Sequence, residues 1–235
     1  MLRIYVLSER ALTIEVGAEI SEEVLARVMA LQQAIQDRSI NGVVEVVTAY
    51  TTVTVVFDPV AVHRFSQDDQ ASASRKVKMQ VEEILDQVTA DETRSEAEPI
   101  IIPVCYDEAF APDLAWVAEH HQTTTDEIIR RHTAHTFTVF MIGFTPGFPY
   151  MGVLPDVLES PRKTVPRTSV PAGSVGLAGK QTGIYPYTTP GGWQIIGRTP
   201  VALFDPHRER PAWLKAGDRV RFEAISTTDF NRIHA

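Results

Sequence analysis

The sequence contains a single cysteine, Cys105, among its 235 residues. One cysteine excludes an intrachain disulfide and argues against a cysteine-based zinc site. No stretch approaches the run of about 18 apolar residues that a membrane-spanning helix needs. Positive charge is also scarce, and the net charge of −8 argues against a general nucleic-acid-binding protein. Because the N-terminus lacks the basic start and long apolar run of a signal peptide, we expect a cytoplasmic protein.

Common catalytic motifs are absent as well. The sequence has no GxxxxGK[ST] phosphate-binding loop, so this chain alone offers no common ATPase site, and it has no HExxH motif. Ser174 lies in AGSVG, one residue short of the GxSxG nucleophile elbow; the alternative is a turn serine whose hydroxyl bonds nearby backbone. We expect no metal site, because the adjacent His120 and His121 cannot face one ligand from a helix.

Glycine and proline are concentrated in one segment. Residues 143–197 hold 10 of the 13 glycines and 8 of the 15 prolines. Proline removes backbone donors and glycine disfavours helix, so the segment cannot be a long helix. Apolar and aromatic residues are interleaved throughout it, which predicts short strands joined by tight turns around a pocket.

The hydrophobic pattern predicts two domains. β-prone runs at 2–7, 11–16, 43–49 and 51–57 and helical patterns following Ser21 and at about 71–88 predict a small α+β domain, residues 1–90, of order ββαββα. Polar, acidic residues 91–99 are the candidate linker. Residues 100–235 contain two short helical patterns, 112–121 and 124–132, and then many short strands, including PVALF at 200–204. This second part predicts a closed or nearly closed β-barrel.

The two short helices allow a second interpretation. Residues 113–132 resemble a helix-turn-helix, with Arg130 and Arg131 placed to meet phosphates. Asp126 and Glu127 on the second helix would face the same phosphates, and the whole chain is acidic. We therefore favour two packed helices and expect no nucleic-acid partner.

The segment rich in glycine and proline is locally basic. Between residues 143 and 198 it has five cations, Arg162, Lys163, Arg167, Lys180 and Arg198, against Asp156 and Glu159. Arginine forks suit carboxylates and phosphates, and glycines let backbone N–H groups approach an anion. This pattern favours a pocket for a small anion lined by Phe144, Tyr185 and Trp193. The alternatives are solvated turn cations or a surface that docks a partner protein.

A long stretch of the sequence resembles a known family. FMIGFTPGFPYMG, followed by PRKTVPRTSVPAGSVGLAGKQTGIYPYTTPGGWQIIGRTP, is similar to the PxpB/KipI family, also called allophanate hydrolase subunit 1. The resemblance implies an α+β N-terminal domain followed by a mostly-β, cyclophilin-like barrel domain. It implies a subunit of an ATP-dependent 5-oxoprolinase, which converts 5-oxo-L-proline to L-glutamate together with PxpC/KipA-like and PxpA-like subunits. ATP with Mg would be used by that complex and not evidently bound by this chain alone. The KipI members imply an alternative, a non-catalytic inhibitor of a sensor histidine kinase.

The family motif also implies site residues. His132 is the candidate general acid or base. The alternative is a histidine at the end of a short helix whose polar atoms are satisfied by hydrogen bonds with the backbone. Arg167 and Arg198 are the candidates for binding an anion, and Gln181 for hydrogen bonding an amide. The remaining motif positions are expected on a pocket or docking surface: Phe144, Pro146, Gly147, Pro171, Gly173, Ser174, Thr182, Tyr185, Gly191, Gly192 and Trp193.

Overall fold

The computed structural model describes residues 2–64, 70–87 and 98–234. The chain divides into two compact units, Met1–Ser95 and Glu96–Ala235. The predicted linker, residues 91–99, lies outside the described residues except for its last two. Among the described residues, no helix is both long and apolar enough to cross a membrane.

The first unit is an antiparallel sheet packed against helices. Its elements are β1 (Arg3–Ser8), β2 (Ala11–Glu15), α1 (Glu22–Arg38), β3 (Val43–Ala49), β4 (Thr52–Phe57), α2 (Pro59–Arg64) and α3 (Ala73–Leu85). The strand order in the sheet is β1-β2-β4-β3. Alternate residues of β2 and β4, such as Leu12 and Val53, are fully buried in one core with Val28 of α1 and Val77 of α3.

Side-chain caps explain where the helices of this unit begin. The Ser21 hydroxyl accepts a hydrogen bond from the Val24 N–H (3.2 Å), so α1 begins where the sequence predicts. The short helix α2 is an addition to the predicted order ββαββα. The Asp58 carboxylate accepts from the Val60 N–H (2.9 Å), and proline is well suited to the first helical position.

The second unit is built on a closed barrel, which confirms the predicted barrel. Its elements are β5 (Ile100–Cys105), α4 (Leu114–His120), α5 (Thr125–Ala134), β6 (Thr136–Ile142), β7 (Pro149–Gly152), a 3-10 turn (Asp156–Leu158), β8 (Arg167–Val170), β9 (Ser174–Ala178), β10 (Gln181–Ile184), β11 (Thr189–Gly191), β12 (Gln194–Arg198), β13 (Arg219–Ile225) and α6 (Thr227–His234). Seven strands close the barrel in the order β10-β7-β6-β13-β5-β12-β9, and β8 pairs with β11 in a separate two-stranded sheet. The pairing of β5 with β13 is parallel, and the other barrel pairings are antiparallel.

One expectation for this unit was wrong, and one helix is an addition to the predicted elements. Residues 200–204 form a loop and not a strand, because Pro200 lacks a backbone donor and the Thr199 hydroxyl accepts from the Val201 N–H (3.2 Å). The C-terminal helix α6 was not anticipated. Its start has a recognisable signal, since the Ser226 hydroxyl accepts from the Asp229 N–H (3.1 Å) and donates to the Asp229 carboxylate (2.8 Å).

The predicted helices at 112–121 and 124–132 are α4 and α5. The Thr124 hydroxyl accepts from the Glu127 N–H (3.2 Å), which caps the start of α5. Arg130 and Arg131 each lie 2.6 Å from the Glu127 carboxylate. The two cations on which a DNA-binding interpretation depends are therefore paired with a carboxylate of their own helix.

Candidate functional site

The candidate site lies on the outer face of the barrel, beside β7, β9 and β12, where Val170 of β8 packs against it. Side chains alternate along these strands, so Met151, Leu177 and Ile196 fill the barrel core while their neighbours point outward. The outward side chains form a second apolar cluster, which we call the outer-face cluster: Phe148, Val170, Ala178, Tyr185, Trp193 and Ile195, with half-buried Tyr150 against it.

Phe148 is the centre of the aromatic contacts in this cluster. Its ring centroid lies 5.2 Å from that of Tyr185 and 5.4 Å from that of Trp193, both nearly perpendicular to it. Tyr150 lies 4.8 Å away and Phe144 5.7 Å away. Edge-to-face packing of this kind holds each ring in a defined orientation. The predicted pocket residues Phe144, Tyr185 and Trp193 thus surround a ring that was not predicted.

Gly191 is required by the position of Tyr185. A Cβ atom at Gly191 would lie 2.8 Å from Cζ of that ring and closer still to its hydroxyl. Burial raises the pKa of Tyr185 to about 12, despite the opposing effects of a hydrogen bond with the Trp193 backbone and of Arg162 and Arg167. The Tyr185 hydroxyl therefore stays protonated at neutral pH.

A buried carboxylate, Asp113, holds two cations beside this cluster. Only 4% of Asp113 is exposed. It accepts hydrogen bonds from both terminal nitrogens of Arg167 (2.7 and 2.8 Å), from Lys163 Nζ (3.0 Å) and from the Ile195 N–H (2.7 Å). Burial raises the pKa of Asp113, but the hydrogen bonds from Arg167, Ile195 and Lys163 outweigh it and hold that pKa below its ordinary value. Arg167 is predicted to bind an external anion, but both terminal nitrogens of its guanidinium are hydrogen-bonded to the Asp113 carboxylate.

Arg162 adds a third cation at the same place. Its guanidinium carbon lies 6.0 Å from the ring centroid of Trp193, within the range of a cation–π contact. Burial raises the pKa of Tyr150, and the positive charge of Arg162 partly opposes that rise. Among the residues that the structure describes, no acidic side chain forms an ion pair with Arg162. We call Asp113, Arg162, Lys163, Arg167, Tyr150 and Trp193 the outer-face site.

The outer-face site has more positive than negative charge. Three cations face one carboxylate, and that carboxylate is already bound by Arg167 and Lys163. About a quarter to a third of the Arg167 and Lys163 side chains is exposed (27% and 29%), and Arg162 is exposed. A half-buried excess of positive charge next to aromatic faces is suited to an anionic ligand that also has a flat, weakly polar part.

His132 lies inside the barrel, away from this surface. It is fully buried, and its ring stacks on Phe222 with centroids 4.4 Å apart. Nδ1 is 2.8 Å from the Tyr106 hydroxyl, and Nε2 is 3.2 Å from the Thr182 hydroxyl, which itself donates to the Gly176 carbonyl. Because Thr182 uses its proton on Gly176, it accepts from Nε2–H, and Nδ1 accepts from Tyr106.

This environment favours a structural role for His132 over the expected catalytic one. Burial lowers the pKa of His132 to about 3, with a smaller contribution from the charge of His135, so the ring is neutral at physiological pH. Both ring nitrogens are used within the core, together with the predicted surface residue Thr182, which is also fully buried. The geometry favours a core histidine that links α5 to β10 over a general acid or base in contact with substrate.

Arg198 and the turn at 171–174 form another group. Arg198 Nε donates to the Ala172 carbonyl (2.7 Å), and its guanidinium lies 5.9 Å from the Phe230 ring. Gly173 has φ +82° and its N–H donates to the Tyr185 carbonyl (2.7 Å), so the turn needs glycine. Ser174 is 2% exposed, which favours the turn interpretation over a nucleophile. In this arrangement Arg198 fastens the turn to β12.

The other predicted positions are spread around the barrel. Gln181 begins β10 and pairs with Gly152 of β7 and with Ala178 of β9, which belongs to the outer-face cluster. Gly147 has φ +81° and packs on Phe204, and the neighbouring Pro146 is exposed.

The last two motif positions are held by backbone hydrogen bonds. The Pro171 carbonyl accepts from the Ser174 N–H (3.2 Å), which closes the turn described above. The Gly192 carbonyl accepts from the Lys163 N–H (2.8 Å), which places Gly192 beside the outer-face site.

Four residues of the outer-face site were not among the predicted site residues. Arg162 and Lys163 were noticed as local charges, and their adjacency in PRK is a signal that could have found them. Tyr150 follows Phe148 at the two-residue spacing of one strand face. Asp113 has no local signal, because its partner Arg167 lies 54 positions away.

A family model and curated relatives match nearly the whole chain. The model of the carboxyltransferase domain, subdomain C and D, matches residues 2–214. The B subunit of the 5-oxoprolinase of Bacillus subtilis (strain 168) is 42% identical over 225 residues, which is 96% of this chain and 93% of that protein. The corresponding 5-oxoprolinase protein of Escherichia coli O157:H7 is 38% identical over 220 residues, 94% of each chain.

Solved structures extend the similarity to longer chains. The structure of TTHA0988 matches with a TM-score of 0.76 and 32% identity, over 96% of this chain but only 40% of that one. The urea carboxylase of Kluyveromyces lactis matches with a TM-score of 0.78 over 98% of this chain and 22% of its own. At 16% identity the second match is a likeness of fold alone. This chain therefore spans less than half the length of both proteins.

Proposed function

Because the chain belongs to the family of the carboxyltransferase domain, subdomain C and D, and within it to the PxpB/KipI family, we propose that it is the PxpB-type subunit of a 5-oxoprolinase. One observation supports this most: two proteins named as that subunit align with at least 94% of this chain at 38% and 42% identity. The proposal makes the protein one part of a hydrolase that acts on a cyclic amide. We further propose that its barrel is of the cyclophilin-like type.

The reaction proposed for the complex is the opening of a five-membered lactam. Water adds to the ring carbonyl of 5-oxo-L-proline, the ring C–N bond breaks, and the products are the carboxylate and amine of L-glutamate. Such an amide resists hydrolysis, so coupling to ATP hydrolysis supplies the driving force. Transfer of the terminal phosphoryl group of ATP to the amide oxygen, with ADP as the leaving group, would make that carbon more electrophilic. Water would then add to this carbon, the ring C–N bond would break, and the phosphoryl group would leave as inorganic phosphate.

The residues of this chain are suited to binding and positioning. The outer-face site offers cations for anionic groups and aromatic faces for a ring. Among the described residues, no group of three or more His, Cys, Asp and Glu side chains is placed to hold a metal ion. We assign no step of ATP or Mg chemistry to this chain and propose that PxpC/KipA-like and PxpA-like partners complete the active complex.

Reconstitution tests the proposal. The chain is co-expressed with its PxpC-like and PxpA-like partners, and ATP-dependent glutamate release from 5-oxoproline is measured with each component omitted in turn. Activity that requires this chain supports the subunit assignment. A stable three-part complex that releases no glutamate overturns it and favours the alternative, an inhibitor of a sensor histidine kinase, which a kinase autophosphorylation assay would then examine.

A further inference from the structure

We propose that the outer-face site is the carboxylate-binding site for the cyclic amide substrate, with Arg162 as the residue that meets the carboxylate. This inference rests on the proposed function for the identity of the ligand, but its chemical basis is independent of it. The site is proposed to bind a small ring bearing one carboxylate, with the ring against the half-buried Tyr150.

The ion pairs formed by the three cations show why Arg162, and not Lys163 or Arg167, is assigned to the carboxylate of the ligand. Arg167 has both terminal nitrogens on Asp113, and Lys163 Nζ lies 3.0 Å from the same carboxylate. Their role is to hold the segment between residues 161 and 167 on the barrel. Arg162 lies next to this fixed pair, is exposed, and forms no ion pair with any acidic side chain in the described parts of the chain. Its guanidinium is thus held near the site with its fork available.

The surroundings of Arg162 limit the kind of anion. Trp193 is 5% exposed and Tyr150 is half-buried, and their ring centroids lie 5.8 Å apart. Phe148 packs against both of them, with its ring centroid 4.8 Å from that of Tyr150 and 5.4 Å from that of Trp193. The accessible part of the Tyr150 ring favours a flat ligand ring, and Arg162, which lies over the adjacent Trp193, is placed to meet a carboxylate on it. The net charge of −8 would repel a large polyanion such as nucleic acid.

Lys163 and Arg167 add to the affinity without direct contact. Together with Asp113 they leave one positive charge in excess, about a quarter to a third exposed, next to Arg162. An anion bound by Arg162 would reduce this excess in a partly desolvated place, where charge interactions are stronger than in water. Asp113 is therefore a positioning residue, which acts by fixing the segment that bears Arg162.

Tryptophan fluorescence tests the site in the isolated chain. The protein has three tryptophans, so Trp116→Phe and Trp213→Phe leave Trp193 as the only indole. We expect a saturable change in emission with 5-oxo-L-proline. We expect at least about tenfold weaker binding of 2-pyrrolidinone, which lacks the carboxylate, and of acetate, which lacks the ring. Arg162→Gln should weaken 5-oxoproline binding by about 10- to 100-fold, because one charge-assisted hydrogen-bonding group is lost.

The matched control is Arg219→Gln, which removes an exposed arginine from β13. It should bind 5-oxoproline as the parent protein does. Absence of a saturable change in the parent, or equal binding by Arg162→Gln and Arg219→Gln, overturns the inference. A circular dichroism melt of each variant establishes that the fold is intact.

The reconstituted complex separates this inference from the proposed function. If the wild-type complex releases glutamate, Arg162→Gln should raise KM for 5-oxoproline by about 10- to 100-fold with kcat little changed, since the contact is made before and during reaction. An active complex in which Arg162→Gln and Arg219→Gln have the same KM overturns the inference and leaves the subunit assignment intact. An inactive wild-type complex overturns the assignment, while carboxylate-dependent quenching of Trp193 would still support the site.

Discussion

Asp113 and Arg167 are 54 residues apart in the sequence and form a two-pronged ion pair, with Nη1–Oδ2 at 2.8 Å and Nη2–Oδ1 at 2.7 Å. The same carboxylate receives the Ile195 N–H (2.7 Å), so it joins β8 to β12 as well as to the start of α4. One buried charge thus fixes the β8–β11 sheet on the barrel. The arrangement of the outer-face site depends on it.

Asp113→Asn should therefore destabilise the second unit. The change leaves Arg167 and Lys163 without a counter-charge, and breaking a buried pair costs about 3–5 kcal/mol. Because both cations are partly exposed, water reduces this to about 2–3 kcal/mol. Urea unfolding would measure the loss. Asp156→Asn, which breaks the exposed pair with Lys180, is the control and should leave the urea midpoint unchanged; equal effects would contradict the role of burial.

The stabilisation by Asp113 should also depend on pH in a defined direction. Its pKa in the folded protein lies below the ordinary value, so its contribution is fully present above a pH of about 4 and is lost as the pH falls through the folded-state pKa. The difference in unfolding free energy between wild type and Asp113→Asn should be constant from pH 7 to about 5 and shrink below about pH 4. A difference that shrinks already between pH 7 and 5 would assign the effect to another group.

Much of the fold could be predicted because its signals are local. The apolar faces of α1 and α3, the caps at Ser21 and Thr124, and the short strands between glycines and prolines are each set by neighbours in the sequence. The wrong strand prediction also has a local cause. The run at 200–204 has strand-forming residues, but Pro200 and the Thr199 turn prevent the pairing that a strand needs.

The site was less predictable because charge pairing and burial are long-range. Composition identified a basic, aromatic segment, and three of its rings do meet around Phe148. Composition cannot tell that Arg167 is used by Asp113, since the two are brought together only when the barrel closes. It also cannot distinguish a surface histidine from His132, whose burial depends on the pairing of distant strands.

Two adjacent glycines should respond differently to the same substitution. In Gly191→Ala the new methyl group would collide with the Tyr185 ring and hydroxyl, whereas at Gly192 the nearest atom, Cγ of Pro166, is 3.6 Å away. We expect Gly191→Ala to cost about 1–3 kcal/mol, as overpacking of a core does, and Gly192→Ala to have little effect. Thermal and urea unfolding of both variants would check this. Equal stability of the two would show that Tyr185 can move aside.

The backbone conformation at Phe144 should make a glycine variant more stable than an alanine variant, which reverses the usual order. Alanine normally stabilises relative to glycine by about 0.4–1 kcal/mol, because it restricts the unfolded chain. Phe144 has φ +68°, a left-handed conformation that costs a residue with a Cβ atom about 1–2 kcal/mol. Phe144→Gly should therefore be more stable than Phe144→Ala, although both lose the contact with Phe148. The urea unfolding midpoints of Phe144→Gly and Phe144→Ala test this order. A more stable alanine variant would rule out the left-handed backbone at this position.

His132 should also make the free energy of unfolding depend on pH, and its effect should begin at a higher pH than that of Asp113. Its folded-state pKa of about 3 is far below the ordinary value of about 6.5, so the unfolded chain binds a proton that the folded chain rejects. The contribution of neutral His132 to the free energy of unfolding is fully present above about pH 6.5. It falls by about 1.4 kcal/mol per pH unit as the pH drops toward 3.

His132→Gln removes this proton while keeping a polar side chain. At pH 7 the variant should be less stable by about 1–3 kcal/mol, because the hydrogen bonds to Tyr106 and Thr182 are poorly reproduced. The gap should narrow as the pH falls below 6.5, since only the wild type has the penalty for protonation. Carboxylates shared by the two proteins cancel in the difference, and His120→Gln, an exposed histidine, is the control. A gap that stays constant from pH 7 to 5 would mean that His132 can take up a proton in the folded barrel, and would restore it as a candidate for acid–base chemistry.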